Sequence, residues 1–503
     1  MGKIKKILIA NRGEIAVRII RAIREMGLSP VVVYSDADEL SLAVKLADEA
    51  YHIGGSPSSE SYLVIDKIID VAKKSKCDAI HPGYGFLAEN AGFAERVKKE
   101  GMIFIGPSPD AIRMMGSKTE SRGIMKKAGV PVVPGTTSPL KSIKELNEVA
   151  KEIGFPVLLK ASAGGGGKGM RLVRSISELE DSFMRAQSEA GSSFGDDSVY
   201  VEKYIEEPHH IEIQILADSF GNTLYLGERE CSVQRRYQKI IEETPSPFIT
   251  DDIRKKMGKI AVKAAEAVQY ENAGTVEFIV DKNKNFYFLE MNTRLQVEHP
   301  ITEMVTGIDI VKEQIKIASG EKINFSQDSI DPRGVSIECR VYAEDPFNNF
   351  APSPGKIAEY VPPAGGIGIR DDTGVYEGYT VPVFYDPLIS KLITWGRDRD
   401  EAVNRMKRAL LEYRIVGINT SIPYFLRILE NKEFLSGNYT TSLVERIDNI
   451  KKEIEPDLME VAMLAAGVKA MEYNGNGKKE EKSDKGKNGN WKMFGRMKNL
   501  RRF

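Results

Sequence analysis

Residues 275–292 read Thr275-Val-Glu-Phe-Ile-Val280-Asp-Lys-Asn-Lys-Asn285-Phe-Tyr-Phe-Leu-Glu290-Met-Asn292. Two runs rich in β-branched and aromatic residues flank a stretch of Asp, Asn and Lys, the chemistry of a turn. The pattern predicts an antiparallel hairpin. Symmetry about Asn283-Lys284 sets Glu277 opposite Glu290, and directly opposed residues share a sheet face. Asn292, two residues on, shares it too. Two carboxylates forced together repel unless something cationic sits between them. Two carboxylates and an amide oxygen, with no thiol or imidazole, suit a hard cation such as Mg2+. The alternative is a pair of solvated carboxylates, against which the apolar neighbours on both strands count.

Just beyond the hairpin, Arg294 suits a carboxylate or phosphate held bidentately. Glu298, near a bound cation, is placed to act as a general base. His299, ahead of Pro300, reads as a structural hydrogen-bonding residue. Upstream, Ala163-Gly-Gly-Gly-Gly-Lys168-Gly169 lies between the strand-like runs 155–160 and 170–173. Glycines let backbone N–H groups turn toward phosphate oxygens. Lys168 is followed by Gly169 rather than Ser or Thr, so this is no Walker loop; the reading is a flap over a nucleotide, with a plain flexible turn as the alternative. Val199–Ile205 reads as a buried strand carrying Glu202 and Lys203, either a seat for a purine or a local ion pair. His209 and His210 are adjacent on a strand and face opposite ways, so joint metal ligation is not expected and one polar ligand contact is. Gln234–Lys239 is a basic cluster, an anion site or a solvated charge run.

The chain has 503 residues, about three domains' worth. Its beginning alternates strand and helix: apolar Ile4–Ala10, a turn at Asn11–Gly13, then apolar residues at helical spacing up to the C-cap signal Gly27. This predicts a parallel α/β unit over 1–113. Gly13 stands alone, so the G-x-G-x-x-G fingerprint of a dinucleotide fold is missing and a nicotinamide dehydrogenase is set aside. A second unit, 114–330, opens on a capping box, Ser117 to Glu120, and includes the glycine flap within about 132–204. A third, 331–448, shows short strands with Pro and Gly turns and a helix over 400–412. Residues 449–503 form a tail: an amphipathic helix over 457–471, a flexible linker over 474–490, and a short basic end carrying Trp491, Phe494, Met497 and Leu500.

Lys and Arg number 71 against 72 Asp and Glu, a net charge of -1, which argues against general nucleic-acid binding. The asymmetry lies in residues 476–503, with ten basic and three acidic residues. Cys77, Cys231 and Cys339 are too few for a disulfide framework and include no CxxC pair, which points to a reducing, cytoplasmic compartment. No targeting segment and no stretch of the ~20 apolar residues needed to span a bilayer is seen, so stable membrane insertion is not expected.

Taken together, Ala10-Asn-Arg-Gly-Glu-Ile-Ala16, His81-Pro-Gly-Tyr-Gly-Phe-Leu-Ala-Glu-Asn90, the glycine flap, Glu290-Met-Asn-Thr-Arg-Leu-Gln-Val-Glu-His-Pro300, Glu338-Cys-Arg340 and Ala343-Glu-Asp-Pro346 resemble the biotin carboxylase family of the ATP-grasp superfamily. The resemblance runs from about Lys5 to residue 448. It implies an α/β (α+β overall) fold: a Rossmann-like N-terminal domain, an ATP-grasp domain with a mobile glycine-flap subdomain, and a mixed α+β C-terminal domain. By position it implies phosphate-binding roles for Lys118 and Lys160, with Gly166 and Gly167 closing on ATP. Glu202, Lys203, Tyr204 and Ile205 resemble the adenine-reading strand, and His210 a further nucleotide contact. Glu277, Glu290 and Asn292 resemble the Mg2+ or Mn2+ ligands. Lys239, Arg294, Val297 and Arg340 resemble the bicarbonate site, with Glu298 the base that deprotonates bicarbonate and Arg340 the stabiliser of a biotin enolate. Tyr237 stands where many relatives carry His, which puts nucleotide affinity at that position in question. Trp491-Lys492-Met493 lacks the first Met of a biotin-acceptor motif, so biotin is expected on a separate carrier protein. The other implied partners are a second copy of the chain, as a homodimer, and a carboxyltransferase subunit. For the tail, docking onto a partner protein, a solubilising role and a membrane-surface contact remain as readings.

Overall fold

The computed structural model describes residues 4–136, 138–140, 142–161, 170–194, 197–363 and 365–450. The glycine run 164–167, with Gly166 and Gly167, lies outside the described residues, as do residues 451–503. The chain divides into Met1–Leu443 and Val444–Phe503, and of the second unit only helical residues 444–450 are described.

The N-terminal strands form a parallel five-stranded sheet in the order Glu49–His52, Ser29–Tyr34, Lys6–Ile9, Ala79–His81, Ile103–Phe104. Helix Gly13–Glu25 follows the central strand, as the apolar spacing requires, and buries Ile15, Ile19, Ala22 and Ile23. Both faces of the sheet are covered, which is why Ile7, Leu8 and Ile9 are all buried: parallel strands read as continuous apolar runs rather than alternating ones. Helix Lys118–Lys127 starts at Ser117, whose Oγ accepts from Glu120 N at 3.3 Å.

Val157–Ala161 lies between Met170–Val173 and Val199–Lys203 in a three-stranded antiparallel sheet, so the strands on either side of the glycine run do pair. The largest sheet has eight strands in the order Phe286–Asn292, Asn272–Val280, His209–Ala217, Thr223–Arg235, Gln238–Thr244, Val335–Tyr342, Leu388–Gly396, Ile369–Thr373. It runs without a break across residue 330: Gln238–Thr244 pairs with Val335–Tyr342, setting Glu242 opposite Glu338 and Ile241 opposite Cys339. The C-terminal region thus extends the central sheet by three strands as well as supplying short strands and helix Arg399–Glu412. In the 272–292 hairpin Glu277 pairs with Glu290 and Thr275 with Asn292; one residue then bulges, so that Phe278 pairs with Phe288. The architecture is α/β at the N-terminus and α+β beyond. Among the described residues no helix is long and apolar enough to cross a membrane.

Candidate active site

Positions Glu290, Glu277, Glu212 and Arg229 are paired in sequence across four neighbouring strands. Paired residues share a face, so three carboxylates and a guanidinium form one row. Arg229 is fully buried; Nε donates to Glu212, and the Nη atoms to Gln214 Oε1 at 2.7 Å, Thr302 Oγ1 at 2.9 Å and Thr275 Oγ1 at 3.1 Å. Lys239 Nζ donates to Glu212 Oε2 at 2.5 Å, Glu277 Oε1 at 2.8 Å and Glu298 Oε1 at 2.8 Å, which uses all of an ammonium's donors. Glu298 Oε2 accepts from Arg340 Nη2 at 2.9 Å, and the same Nη2 lies 2.6 Å from Glu242 Oε1.

Glu277 gathers the rest. Its Oε1 also accepts from Asn292 Nδ2 at 2.8 Å and Gln296 Nε2 at 3.0 Å. Its Oε2 lies 2.8 Å from His210 Nε2. His210 Nδ1 faces the Gln234 amide Nε2 at 2.8 Å, so Nδ1 accepts and Nε2–H donates to Glu277. Asn292 Oδ1 accepts from Arg294 Nη2 at 3.0 Å, while Arg294 Nε donates to Glu89 Oε2 at 3.0 Å.

These contacts decide charge. Burial pushes the Glu298 carboxyl up, but Lys239, Arg340 and Arg229 outweigh it and hold it well below the usual carboxylate range. Glu277 is likewise buried, and Lys239 and His210 bring it well below that range. Lys239 is desolvated, yet its three carboxylates raise it well above a free lysine. Both carboxylates are therefore ionised at neutral pH and able to accept a proton.

A cleft of about 1170 Å3 opens beside this cluster. Lys239, Glu277, Glu290, Asn292, Arg294, Val297 and Arg340 line one side. Lys160, Glu202, Lys203, Tyr204 and Ile205 line another, with His210 and Tyr237. The structure thus brings into one cavity residues whose numbers span 160 to 340. Glu298 is one contact behind the wall, with no exposure. The side chain of Lys118, at the first position of its helix, lies outside the described residues. Glu202 and Lys203 do not pair with each other. Glu202 sits between Lys160 and the buried Arg122, and Lys203 Nζ donates to the Gly154 and Phe155 carbonyls at 3.1 and 2.7 Å. Tyr237 and Arg236 form the two-residue turn between paired Arg235 and Gln238, both at positive φ (67° and 51°), leaving Tyr237 70% exposed at the cleft rim. His299 is buried with Nδ1 2.8 Å from Gln296 O, a structural position. His209 points away from His210 and stacks on Phe248 at 3.5 Å.

Among the residues of this network that carry no role in the sequence reading are Glu212, Arg229, Glu242, Arg122 and Glu89. The alternation His210-Ile-Glu212-Ile-Gln214-Ile marked a polar strand face and was the available signal for Glu212. Glu89 lies inside a quoted motif. Arg122, in mid-helix, had no local signature.

Comparison with known proteins follows the same outline. Residues 3–112 match the model of the biotin carboxylase N-terminal domain, 117–326 that of the carbamoyl-phosphate synthase L chain ATP binding domain, and 338–446 that of the biotin carboxylase C-terminal domain. Biotin carboxylase 1 of Bacillus subtilis is 55% identical over 446 residues, 88% of this chain and 99% of the relative. The chain belongs to the biotin carboxylase family. The Campylobacter jejuni biotin carboxylase, solved as a β-γ-ATP complex, superposes with a TM-score of 0.84 at 50% identity, covering 88% of this chain and 99% of that one. The biotin carboxylase domain dimer of Hydrogenobacter thermophilus 2-oxoglutarate carboxylase, solved with MgADP, ADP and bicarbonate, gives 0.83 at 50% identity over 89% and 98%. A crystal structure of the biotin carboxylase subunit of pyruvate carboxylase gives 0.79 at 51% identity over 89% and 99%. Biotin carboxylases thus occur both as separate subunits and as domains of larger carboxylases.

Proposed function

We propose that this chain is a ligase that carries out the biotin carboxylase half-reaction: ATP, bicarbonate and biotin borne on a separate carrier protein become ADP, phosphate and N-carboxybiotin. The observation that carries this reading is Glu298, buried and ionised between Lys239 and Arg340 at the wall of a cleft that also holds Lys160 and the Glu277–Glu290 pair.

Each step follows from the charges present. Bicarbonate, an anion, is held by Lys239, Arg294 and Arg340 beside Val297, and Glu298 takes its proton. The arrival of a second negative charge raises the proton affinity of Glu298, which strengthens it as a base at the moment it acts. Bicarbonate oxygen then attacks the γ-phosphate, forming carboxyphosphate and breaking the bond to ADP. Lys160 faces the phosphate charge, the family resemblance gives Lys118, Gly166 and Gly167 to the same phosphates, and the 202–205 strand with His210 and Tyr237 seats the nucleoside. Carboxyphosphate releases CO2; its phosphate takes the ureido proton of biotin, and the enolate, opposite Arg340, captures CO2. Fixed cations at sites of developing negative charge are the main source of such catalysis.

The donor set fits a divalent cation: Glu277, paired with Glu290 and ionised, and Asn292 on the same face offer hard oxygens. When bound, Mg2+ or Mn2+ there supplies charge neutralisation of the nucleotide phosphates.

The test is bicarbonate-dependent ATP hydrolysis by the purified chain and its stimulation by free biotin. Glu290→Gln and Arg340→Ala are expected to abolish the biotin-stimulated rate while leaving the fold intact. Hydrolysis indifferent to bicarbonate, or an unaffected Arg340→Ala variant, overturns the reading. A homodimer, a biotin carrier and a carboxyltransferase are the proposed partners, in the cytoplasm; the match to 99% of a Bacillus subtilis biotin carboxylase and to the biotin carboxylase subunit of a pyruvate carboxylase supports this. Deleting residues 474–503 and measuring co-purification with carrier and transferase tests whether the tail docks a partner, and unchanged assembly discards docking.

A further inference from the structure

Behind Arg340 lies a pair of acids that the half-reaction does not use. Glu242 and Glu338 are directly paired across strands Gln238–Thr244 and Val335–Tyr342, and neither has any exposed surface. They share a face and stand side by side. No hydrogen-bond partner reaches either oxygen of either carboxyl group. Glu242 has one ion-pair partner, Arg340 Nη2 at 2.6 Å, which it shares with Glu298. Among the described residues Glu338 has no cation within ion-pair distance. The nearby Lys391 is committed elsewhere, to the Val297 carbonyl at 2.8 Å and Glu14 at 3.2 Å.

Two buried, neighbouring carboxylates with a share of one guanidinium cannot both ionise. Burial drives Glu338 well above the carboxylate range, and it drives Glu242 up to about 7 against the pull of Arg340. The two titrate as one pair.

We infer that Glu242 and Glu338 both stay protonated behind Arg340 and that the proton on Glu242 positions Arg340 for substrate. With both acids neutral, Arg340 is gripped firmly only by Glu298 and is able to turn to an anion in the cleft. Loss of the Glu242 proton leaves that acid charged beside Arg340 while Glu338 stays neutral, and Arg340 is drawn back between Glu242 and Glu298. The titratable and charged groups facing the pair are Lys239 on the Glu242 strand, Arg340, Cys339 and Tyr342 on the Glu338 strand, Lys391, Cys231, Tyr84 and Glu298. Of these only Arg340 contacts the pair as a cation. This inference rests on the proposed role of Arg340; the protonation state itself does not.

Infrared spectroscopy of the wild-type chain without substrates decides the first half. A buried carboxylic-acid carbonyl band is expected at pH 6, shifted in D2O, and reduced as pH rises past about 7, where Glu242 ionises and Glu338 keeps its proton. It is expected to be altered in both Glu242→Gln and Glu338→Gln. Absence of such a band, or its persistence unchanged in both variants, overturns the proposal even if the carboxylase activity is confirmed. The second half is read from kcat/KM for biotin against pH. Glu242→Gln, which removes the competing charge permanently, is expected to move the alkaline limb up by at least about one pH unit, a tenfold gain relative to wild type on that limb. Glu338→Gln, which puts a neutral amide where a neutral acid stood, is expected to leave the alkaline limb in place, because Glu242 still titrates beside Arg340. An alkaline limb unmoved by Glu242→Gln refutes the positioning role. Loss of biotin-stimulated activity in the wild type sinks the functional reading and leaves the infrared result standing.

Discussion

Glu298→Gln separates chemistry from architecture. The substitution keeps shape and removes one charge and one proton acceptor. The structure limits its cost to stability. Lys239 retains Glu212 and Glu277, and with the Glu298 charge gone Glu242 ionises more readily beside Arg340, so neither cation is left alone in the interior. The 3–5 kcal/mol typical of orphaning a buried charge therefore does not apply, and the loss is about 1–3 kcal/mol from weakened charge-assisted hydrogen bonds. Against about 5–15 kcal/mol for a folded domain, the variant stays native. The loss in rate is larger: a positioned general base contributes about 100- to 10,000-fold. The assay is kcat for bicarbonate-dependent, biotin-stimulated ATP hydrolysis beside urea unfolding of the same preparation. Because Lys239 and Arg340 depress Glu298 in the free chain and a bound anion raises it, the acid limb of wild-type kcat is expected at higher pH than that of kcat/KM. A folded Glu298→Gln enzyme working within about threefold of wild type would refute the assignment of Glu298 as base.

Arg229→Met is expected to cost about 3–5 kcal/mol in urea unfolding, because it strips a buried counter-ion from Glu212 and the donor from Gln214, Thr302 and Thr275; a loss below about 1 kcal/mol contradicts the row of charge described above. Glu277→Gln is expected to weaken Mn2+ binding in the presence of ADP by at least about tenfold, read by electron paramagnetic resonance, and unchanged affinity removes Glu277 from the metal site. Glu277, Glu298 and Glu303 are all held below the ordinary carboxylate range in the folded chain. Depressed carboxylates stabilise the fold above their unfolded value of about 4.3, and that stability is lost as pH falls below it, so the urea midpoint is expected to drop steeply between pH 5 and 3. A midpoint flat over that range speaks against ionised carboxylates at these positions.

The hairpin and its Glu277–Glu290 pairing were legible because both are local: the alternation, the turn residues and the symmetry axis lie within eighteen consecutive residues. The bulge that slips Phe278 onto Phe288 was not, since nothing in the composition of either run marks where a residue is skipped. Nor was the continuity of the eight-stranded sheet. Gln238–Thr244 meets Val335–Tyr342 about a hundred residues on, and a strand's partner at that separation leaves no periodic trace. Lys239 was read as part of a basic cluster. That it serves three carboxylates depends on Glu212, Glu277 and Glu298 arriving from other strands and a loop. Glu202 and Lys203, adjacent and opposite in charge, suggested an ion pair; the pleat sends them to opposite faces, and each finds other partners.

The wider logic of the site is an exchange of partners. Four cations of the cleft read as anion binders are already held by the protein's own carboxylates: Lys160 by Glu202, Arg294 by Glu89, Lys239 by Glu212, Glu277 and Glu298, and Arg340 by Glu242 and Glu298. These pairs keep a desolvated, highly charged cavity folded without substrate. They also set its selectivity, since an incoming anion must outcompete a carboxylate at hydrogen-bonding distance rather than merely meet a free charge. Glu202 keeps the buried Arg122 when Lys160 turns away, and Glu298 keeps one cation when the other leaves. Shared partners make each exchange a rearrangement of existing contacts instead of the exposure of a bare buried ion, and this is why the carboxylates that carry no chemistry are as necessary to the site as those that do.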